Sequence, residues 1–437
     1  MTSDPSSLPQ GTRNLAIAVV AAIILIGFGA KMFIFRDGEP VLANYALTAA
    51  LLAVAGGIVI AKSRLIVIDR TAAVLLLLAI FWAGWSSLMS TISLNLVAAA
   101  TFTATAIGFG FLVPALCMLL GWDTWRVLLW PLAICTVGSL LLYGIQPGNA
   151  IDEESGRFAG LFVSVAIACS MFGLQAFLAM KAGFEARKWP VAAAWFGLSA
   201  LGFILLYLTR TRSSLVELMV GVLLILWFAP MKRGLRIFTL SVSIIILLFS
   251  IVSLGAASTG IVQVDDQLRE FRLEDSSLTA SRGDNWDFGI ERIRARPLFG
   301  EGLLAKQTSG GTMEVNFSGP TSYDPRYDPH SLMLSLGVEG GIPFMLFMLA
   351  LFGWVIVRFV YAFGWRAALA SPEFVLVSLR VATSLFSGGD MTTMGNIIEK
   401  IVWMLLGTLM LKAEMKLRST GKAGFIPAQP RLLLPSR

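Results

Sequence analysis

The sequence contains a single histidine, His330, in the stretch Asp328-Pro329-His330-Ser331 that leads into a long apolar run. Asp328 is a good helix N-cap and Pro329 suits the first helical position, so His330 is expected in a helix's first turn. The positive end of the helix dipole disfavours an imidazolium. It would leave the ring neutral and able to accept a proton near neutral pH. An interfacial histidine without a role is the plainer alternative. One histidine also argues against a zinc or iron site built on imidazoles.

Arginines are the second group. Ser281-Arg282-Gly283-Asp284 reads as a capping box opening a helix that runs to Pro297. On that helix Trp286, Ile290 and Ile293 share a narrow stripe, with Asp284, Asp287 and Glu291 opposite. Such an amphipathic helix should lie along a membrane surface and aim Arg282 at the protein body. An arginine pressed inward needs an anion, either a carboxylate or a ligand phosphate. Arg210 and Arg212 lie in the turn Thr209-Arg210-Thr211-Arg212-Ser213. They share a face if that turn is extended and diverge if a helix continues through it. Arg157 follows Asp152-Glu153-Glu154-Ser155-Gly156, whose carboxylates could simply pair with it. Together these groups could hold a lipid-linked phosphate or diphosphate.

What must position them is a membrane-embedded frame. Of 437 residues, 56% are hydrophobic and only 14% charged, where a soluble chain of this length carries about a quarter charged. Mean hydropathy is +0.77. Apolar runs long enough to cross a hydrocarbon core recur from end to end. Helices are expected near 14–35, 41–61, 71–89, 93–120, 126–143, 158–180, 191–209, 213–229, 235–256, 331–357, 374–388 and 396–411. The first run, Asn14 to Phe35, is read as a retained helix because it is too long for a signal-peptide core. The fold class expected is an all-α polytopic membrane protein of about twelve spans, with one large periplasmic loop. The divisions are 1–256, helices 1–9; 257–330, the loop; 331–415, helices 10–12; and 416–437, a cytoplasmic tail.

Charge placement orients that frame. Between Ala257 and Pro329 eight Arg/Lys face twelve Asp/Glu, a balance of −4, which leaves +11 elsewhere from the net +7. Lys62, Arg64, Arg70, Lys181, Arg187, Lys188, Lys232, Arg233, Arg236, Arg358, Arg366 and the basic tail all fall on one side of the expected topology. That side is then cytoplasmic, as are both termini, and the long loop lies outside. The excess reports topology and not nucleic-acid binding. Cys117, Cys135 and Cys169 lie inside apolar runs without metal-ligand spacing, so core packing is expected. Glu217, Glu339 and Arg380 fall inside predicted helices, where ionisable groups are costly and usually paired. A Glu339–Arg380 pair is the expectation, with a kink at Gly340, Gly341 and Pro343 just beyond.

Four stretches resemble the O-antigen ligase and polymerase superfamily of bacterial envelope glycosyltransferases. They are Gly156-Arg157-Phe158-Ala159-Gly160; Thr211-Arg212-Ser213-Ser214; Arg282-Gly283-Asp284-Asn285-Trp286 with Pro297-Leu298-Phe299-Gly300-Glu301-Gly302; and His330 with Gly337-Val338-Glu339-Gly340-Gly341. The match covers about residues 150–345. One departure is Ser331, where the family usually has asparagine after the histidine; serine can still donate a hydrogen bond.

The resemblance implies a GT-C-like, inverting, metal-independent glycosyl transfer on the periplasmic face of the bacterial inner membrane, with no cofactor. The donor would be a glycan on undecaprenyl diphosphate and the acceptor a lipid A–core or another glycan. In that scheme His330 activates the acceptor hydroxyl, and Arg212 and Arg282 bind the diphosphate and stabilise its growing charge. Arg157, Arg210, Trp286 and Ser331 are the expected substrate-binding neighbours. An O-antigen ligase, serving lipopolysaccharide biosynthesis, is the leading reading. A repeat-unit polymerase of O-antigen or exopolysaccharide is its rival. A secondary transporter would show paired repeats and midplane charges, and the sequence has no internal repeat.

Overall fold

A computed structural model of the chain describes residues 9–29, 41–62, 68–90, 95–152, 156–162, 165–228, 237, 241, 244, 280–303, 315–316, 319–320, 329, 331–387 and 397–421. The described residues are almost entirely helical. In chain order the helices are α1 (Gln10–Gly29), α2 (Val41–Ala61), α3 (Arg70–Met89), α4 (Asn95–Ile107), α5 (Val113–Leu119) and α6 (Thr124–Ile145). They continue with α7 (Val165–Glu185), α8 (Trp189–Leu208), α9 (Arg212–Phe228), α10 (Ala280–Ala295) and α11 (Leu332–Phe363), then α12 (Trp365–Ala370), α13 (Pro372–Ser387) and α14 (Ile397–Ser419). A single π-turn, Gly108–Leu112, joins α4 to α5 without breaking the rod. The only strands among the described residues are β1 (Val315–Asn316) and β2 (Gly319–Pro320), an antiparallel pair.

Helices coincide with every expected span except 235–256, which lies almost wholly outside the described residues. Among the described residues six segments have the length and apolarity to cross a membrane: 70–89, 95–119, 124–145, 167–185, 189–208 and 332–363. Their outward faces are apolar too. Leu77, Phe81, Trp130, Ile134 and Leu141 are all exposed, as expected where lipid rather than water surrounds the bundle. The three cysteines are buried, in keeping with core packing.

Ion pairs gather at one end of the bundle. Lys412 of α14 bridges Asp123, before α6, at 3.3 Å and Glu373 of α13 at 2.8 Å. Arg126 of α6 meets Glu185 at the close of α7 at 2.8 Å. Arg358 of α11 contacts Asp69 and Glu414, each at 3.2 Å. Asp69 also caps α3 through the Ala72 amide and accepts from Trp354 Nε1 at 2.9 Å. This basic end fixes the other one. Ser90, Ile145, Val165, Arg212, Ser331 and Ser387 lie at the opposite end, where the candidate site is.

At the centre, α14 passes the π-turn backbone to backbone. A Cβ added to Gly407 would collide with the carbonyl oxygen of Gly110. Close approach through small residues is how helices associate where no hydrophobic difference from lipid draws them together. Gly407→Ala should destabilise the bundle by roughly 1–3 kcal/mol, the usual result of forcing a methyl into a packed interior. Gly353, with nothing within 4 Å of an added Cβ, is the control. Melting of the detergent-purified variants should fall for Gly407→Ala and hold for Gly353→Ala.

Candidate active site

The site is organised around a break in α11. Gly341 adopts φ +76° and ψ 179° within the helix. Pro343, two residues on, has no N–H to offer the Glu339 carbonyl, and Ile342 N turns away to Pro297 O at 2.8 Å. The carbonyls of Val338 and Glu339 are thereby released. Two backbone amides of the Gly300-Glu301-Gly302 turn take them, Glu301 N to Val338 O and Gly302 N to Glu339 O, both at 2.8 Å. Gly300 must be glycine here: φ is +62°, and a Cβ would come within 2.6 Å of Val338 O. The expected kink is therefore present, and it is the docking point for the Pro297–Gly302 block.

Helix α3 holds the other side of that turn. Trp82 Nε1 donates to Leu298 O at 2.9 Å and its ring stacks on Phe299 with centroids 5.7 Å apart. Ser86 Oγ contacts Phe299 O and donates to Glu339 O at 2.8 Å; Ser90 Oγ contacts Glu301 O. Trp82, Ser86 and Ser90 follow one another at four-residue spacing, one face of a helix. That row of polar groups in an apolar helix was a readable signal that sequence reasoning missed.

The amphipathic helix α10 is present but starts at Ala280, so Ser281 lies inside its first turn and does not form the expected capping box. The buried face also differs. Ile290 is exposed, while Gly289, Arg292 and Ile293 face the bundle. The reason is a buried ion pair: Arg292 Nη2 and Nε meet Glu301 Oε2 and Oε1 at 2.6 and 3.1 Å, with 7% and 15% of the side chains exposed. Ile293 packs against Gly337, and a Cβ on Gly289 would lie 3.0 Å from Pro329 Cβ. The chain just before His330 thus rests directly on α10.

Helix α11 begins at Leu332 with Ser331 as its N-cap residue, so Asp328 and Pro329 do not have the capping roles expected of them. Ser331 is extended (φ −146°, ψ 127°), and its hydroxyl does not cap its own helix. It donates instead to Leu385 O near the end of α13, at 2.9 Å. That tether draws Ser331 sideways and delays the helix. His330 itself and Asp328 lie outside the described residues, as do the side chains of Arg212 and Arg282. What the fold describes is the backbone of Arg212 and Arg282, in the first turns of α9 and α10. Arg282 and Trp286 lie about 10 Å and 4.5 Å along α10 from the Pro329 contact, at 1.5 Å per residue. Trp286 is half-buried, and its indole N–H has no acceptor among the described residues.

The turn between α8 and α9 carries Arg210, and Arg212 follows it. Arg210 is left-handed (φ +52°), the one non-glycine residue with positive φ among those described, and it closes α8 through Arg210 N to Tyr207 O at 3.0 Å. Arg212 opens α9. Thr209 is buried at the base, with its hydroxyl 2.7 Å from Leu206 O. Arg157 sits in a second tight turn. The amides of Ala159 and Gly160 both bond Ala150 O at 2.9 Å, and Gly160 is left-handed against Ser139. This turn is why α7 begins at Val165 and not at 158. Arg157 is half-buried with its Nε enclosed. Phe158, beside it, stacks on Phe172 of α7 at 5.8 Å.

Arg380 finds its ion-pair partner in Glu217 of α9, at 3.6 Å, and not in Glu339 as expected. Glu339 is fully buried at the α11 break. Glu217 and Arg380 line a small cleft of about 60 Å³ between α7, α9, α13 and α14.

A bundle of apolar helices, six of those described being long and apolar enough to cross a membrane, defines a polytopic membrane protein. Residues 197–349 match the family model described as O-antigen ligase. That segment spans α8 to the first half of α11, and its match supports the resemblance to the O-antigen ligase and polymerase family. No curated protein matches the chain.

Two predictions come from this geometry. Removing one partner of the buried pair, as in Arg292→Leu, leaves the Glu301 carboxylate uncompensated and should cost about 3–5 kcal/mol. Chemical unfolding in detergent should show a smaller loss for Arg292→Leu combined with Glu301→Leu. Separately, a left-handed conformation costs a non-glycine residue about 1–2 kcal/mol, so Arg210→Gly should unfold no earlier than wild type. Any loss of ligand binding in that variant then reports the guanidinium and not the turn.

Proposed function

We propose that the protein is an O-antigen ligase. It moves a glycan from an undecaprenyl diphosphate carrier to a lipid A–core acceptor, with inversion and without a metal. The observation that carries this reading is the seating of α10, which bears Arg282 and Trp286, against Pro329, the residue before His330. Within one family-matched segment, residues remote in sequence share a single end of the bundle.

In the mechanism proposed, His330 takes the proton of the acceptor hydroxyl as its oxygen attacks the anomeric carbon. The bond from that carbon to the diphosphate oxygen breaks, and undecaprenyl diphosphate leaves. Arg212 and Arg282 stabilise the charge that grows on the departing diphosphate. Arg157, Arg210, Trp286 and Ser331 bind around the reacting groups. The site end faces the periplasm and both termini the cytoplasm, since the opposite end carries Arg126, Lys181, Arg187, Lys188, Arg358, Arg366, Lys412, Lys416 and Arg418. The division into 1–256, 257–330, 331–415 and 416–437 belongs to this reading of an inner-membrane enzyme.

The test is transfer by purified protein, with EDTA present, from an undecaprenyl diphosphate-linked glycan to lipid A–core. Wild type should transfer. His330→Ala, Arg212→Ala and Arg282→Ala, each folded, should lose roughly 10²-fold or more, the scale of removing a general base or an oxyanion donor. Lengthening of the donor glycan with no ligation would identify a repeat-unit polymerase instead. Full activity of His330→Ala would remove the proposed base.

A further inference from the structure

A line of polar contacts crosses the apolar interior and joins the elements that carry the proposed site. Ser214 Oγ of α9 lies 3.1 Å from Cys169 Sγ of α7, the helix that Arg157 leads into. One turn along α9, Glu217 pairs with Arg380 of α13 at 3.6 Å and accepts from Thr383 Oγ1 at 3.3 Å. Five residues further along α13, the Leu385 carbonyl accepts from Ser331 at 2.9 Å. The contacts therefore run from α7 to α9, to α13, and on to the start of α11.

The ion pair is the charged step of that line, and 20% and 15% of its side chains are exposed. Around it Phe177, Leu218, Leu376 and Val402 offer smooth apolar surfaces. Such surfaces allow neighbouring helices to slide, whereas a charge pair in a low-dielectric interior fixes one register. Glu217 lies five residues below Arg212, and Arg380 five below Leu385, about 7.5 Å in each case. The pair thus locks the heights of two helix ends against each other at a common depth.

We propose that Glu217 and Arg380 are positioning residues that set the separation of the start of α9, at Arg212, from the start of α11, at Ser331, by fixing α9 against α13. This rests on the function proposed above for the site. Neither group touches the reacting atoms. Each acts through the backbone it holds, Arg380 by way of the Leu385–Ser331 tether. A misplacement of about 1 Å between such groups lowers a rate by up to roughly 10²-fold.

The experiment reads activity and distance separately. Spin labels at Arg210 and Met333, both exposed and next to the starts of α9 and α11, report that separation by pulsed electron resonance. The native cysteines are buried and stay unlabelled. Glu217→Gln and Arg380→Gln should each broaden the distance distribution. In unlabelled protein they should lower kcat roughly ten- to hundredfold with KM changed less than about twofold. The exchange Glu217→Arg with Arg380→Glu should restore a narrow distribution and most of kcat. A distribution that stays narrow in both single variants overturns the proposal, as does a kcat that stays at wild-type level. If wild type transfers no glycan, the proposed function falls, and the distance measurement still decides whether the pair sets the register.

Discussion

The arrangement hangs on carbonyls that α11 cannot satisfy by itself. Pro343 withholds one amide and Gly341 diverts another, so Val338 O and Glu339 O stand open in an apolar interior. An unpaired backbone carbonyl there costs several kcal/mol or a fold change to avoid it. The Gly300–Gly302 turn supplies the missing donors, and only glycine at 300 leaves room for that approach. Once the turn is docked, Glu301 is in place for Arg292, Arg292 rotates α10, and α10 receives Pro329. Unsatisfied backbone in one helix thus decides where the chain at Pro329 rests.

The two ends of the bundle solve the charge problem in opposite ways. At the basic end Arg126, Arg358 and Lys412 are matched by Asp69, Asp123, Glu185, Glu373 and Glu414. These pairs clamp helix termini together. At the other end Arg210 is exposed on a turn, and Arg212 and Arg282 begin helices. A helix start is the positive end of a dipole, where an anion is stabilised, and the proposed function uses these positions for that purpose.

Much of this was legible in the sequence. Twenty-residue apolar runs have few alternatives to a helix in lipid, so helix positions among the described residues were read closely, and six of them are long and apolar enough to span. The kink at Gly341 followed from glycine and proline, whose backbone limits are local. Element starts were read less well. Asp328-Pro329 looks like a cap by every local rule, yet the helix starts after Ser331, whose hydroxyl is held by the Leu385 carbonyl, distant in sequence. The α10 stripe was likewise turned by the partner of Arg292, Glu301, beyond the end of that helix.

The sequence by itself determined that the chain is a helical membrane protein, where its polar groups interrupt the apolar runs, and which family those interruptions resemble. Hydropathy, helix period and the backbone limits of glycine and proline act within a few residues, so they can be read along a line. Only the tertiary structure decided that Arg380 pairs with Glu217, that Trp82, Ser86 and Ser90 hold the Pro297–Gly302 block, and that α10 supports the chain at Pro329. Those are choices among many possible partners. In an apolar interior the partner is the group that packing brings within hydrogen-bond reach, and sequence distance does not encode that.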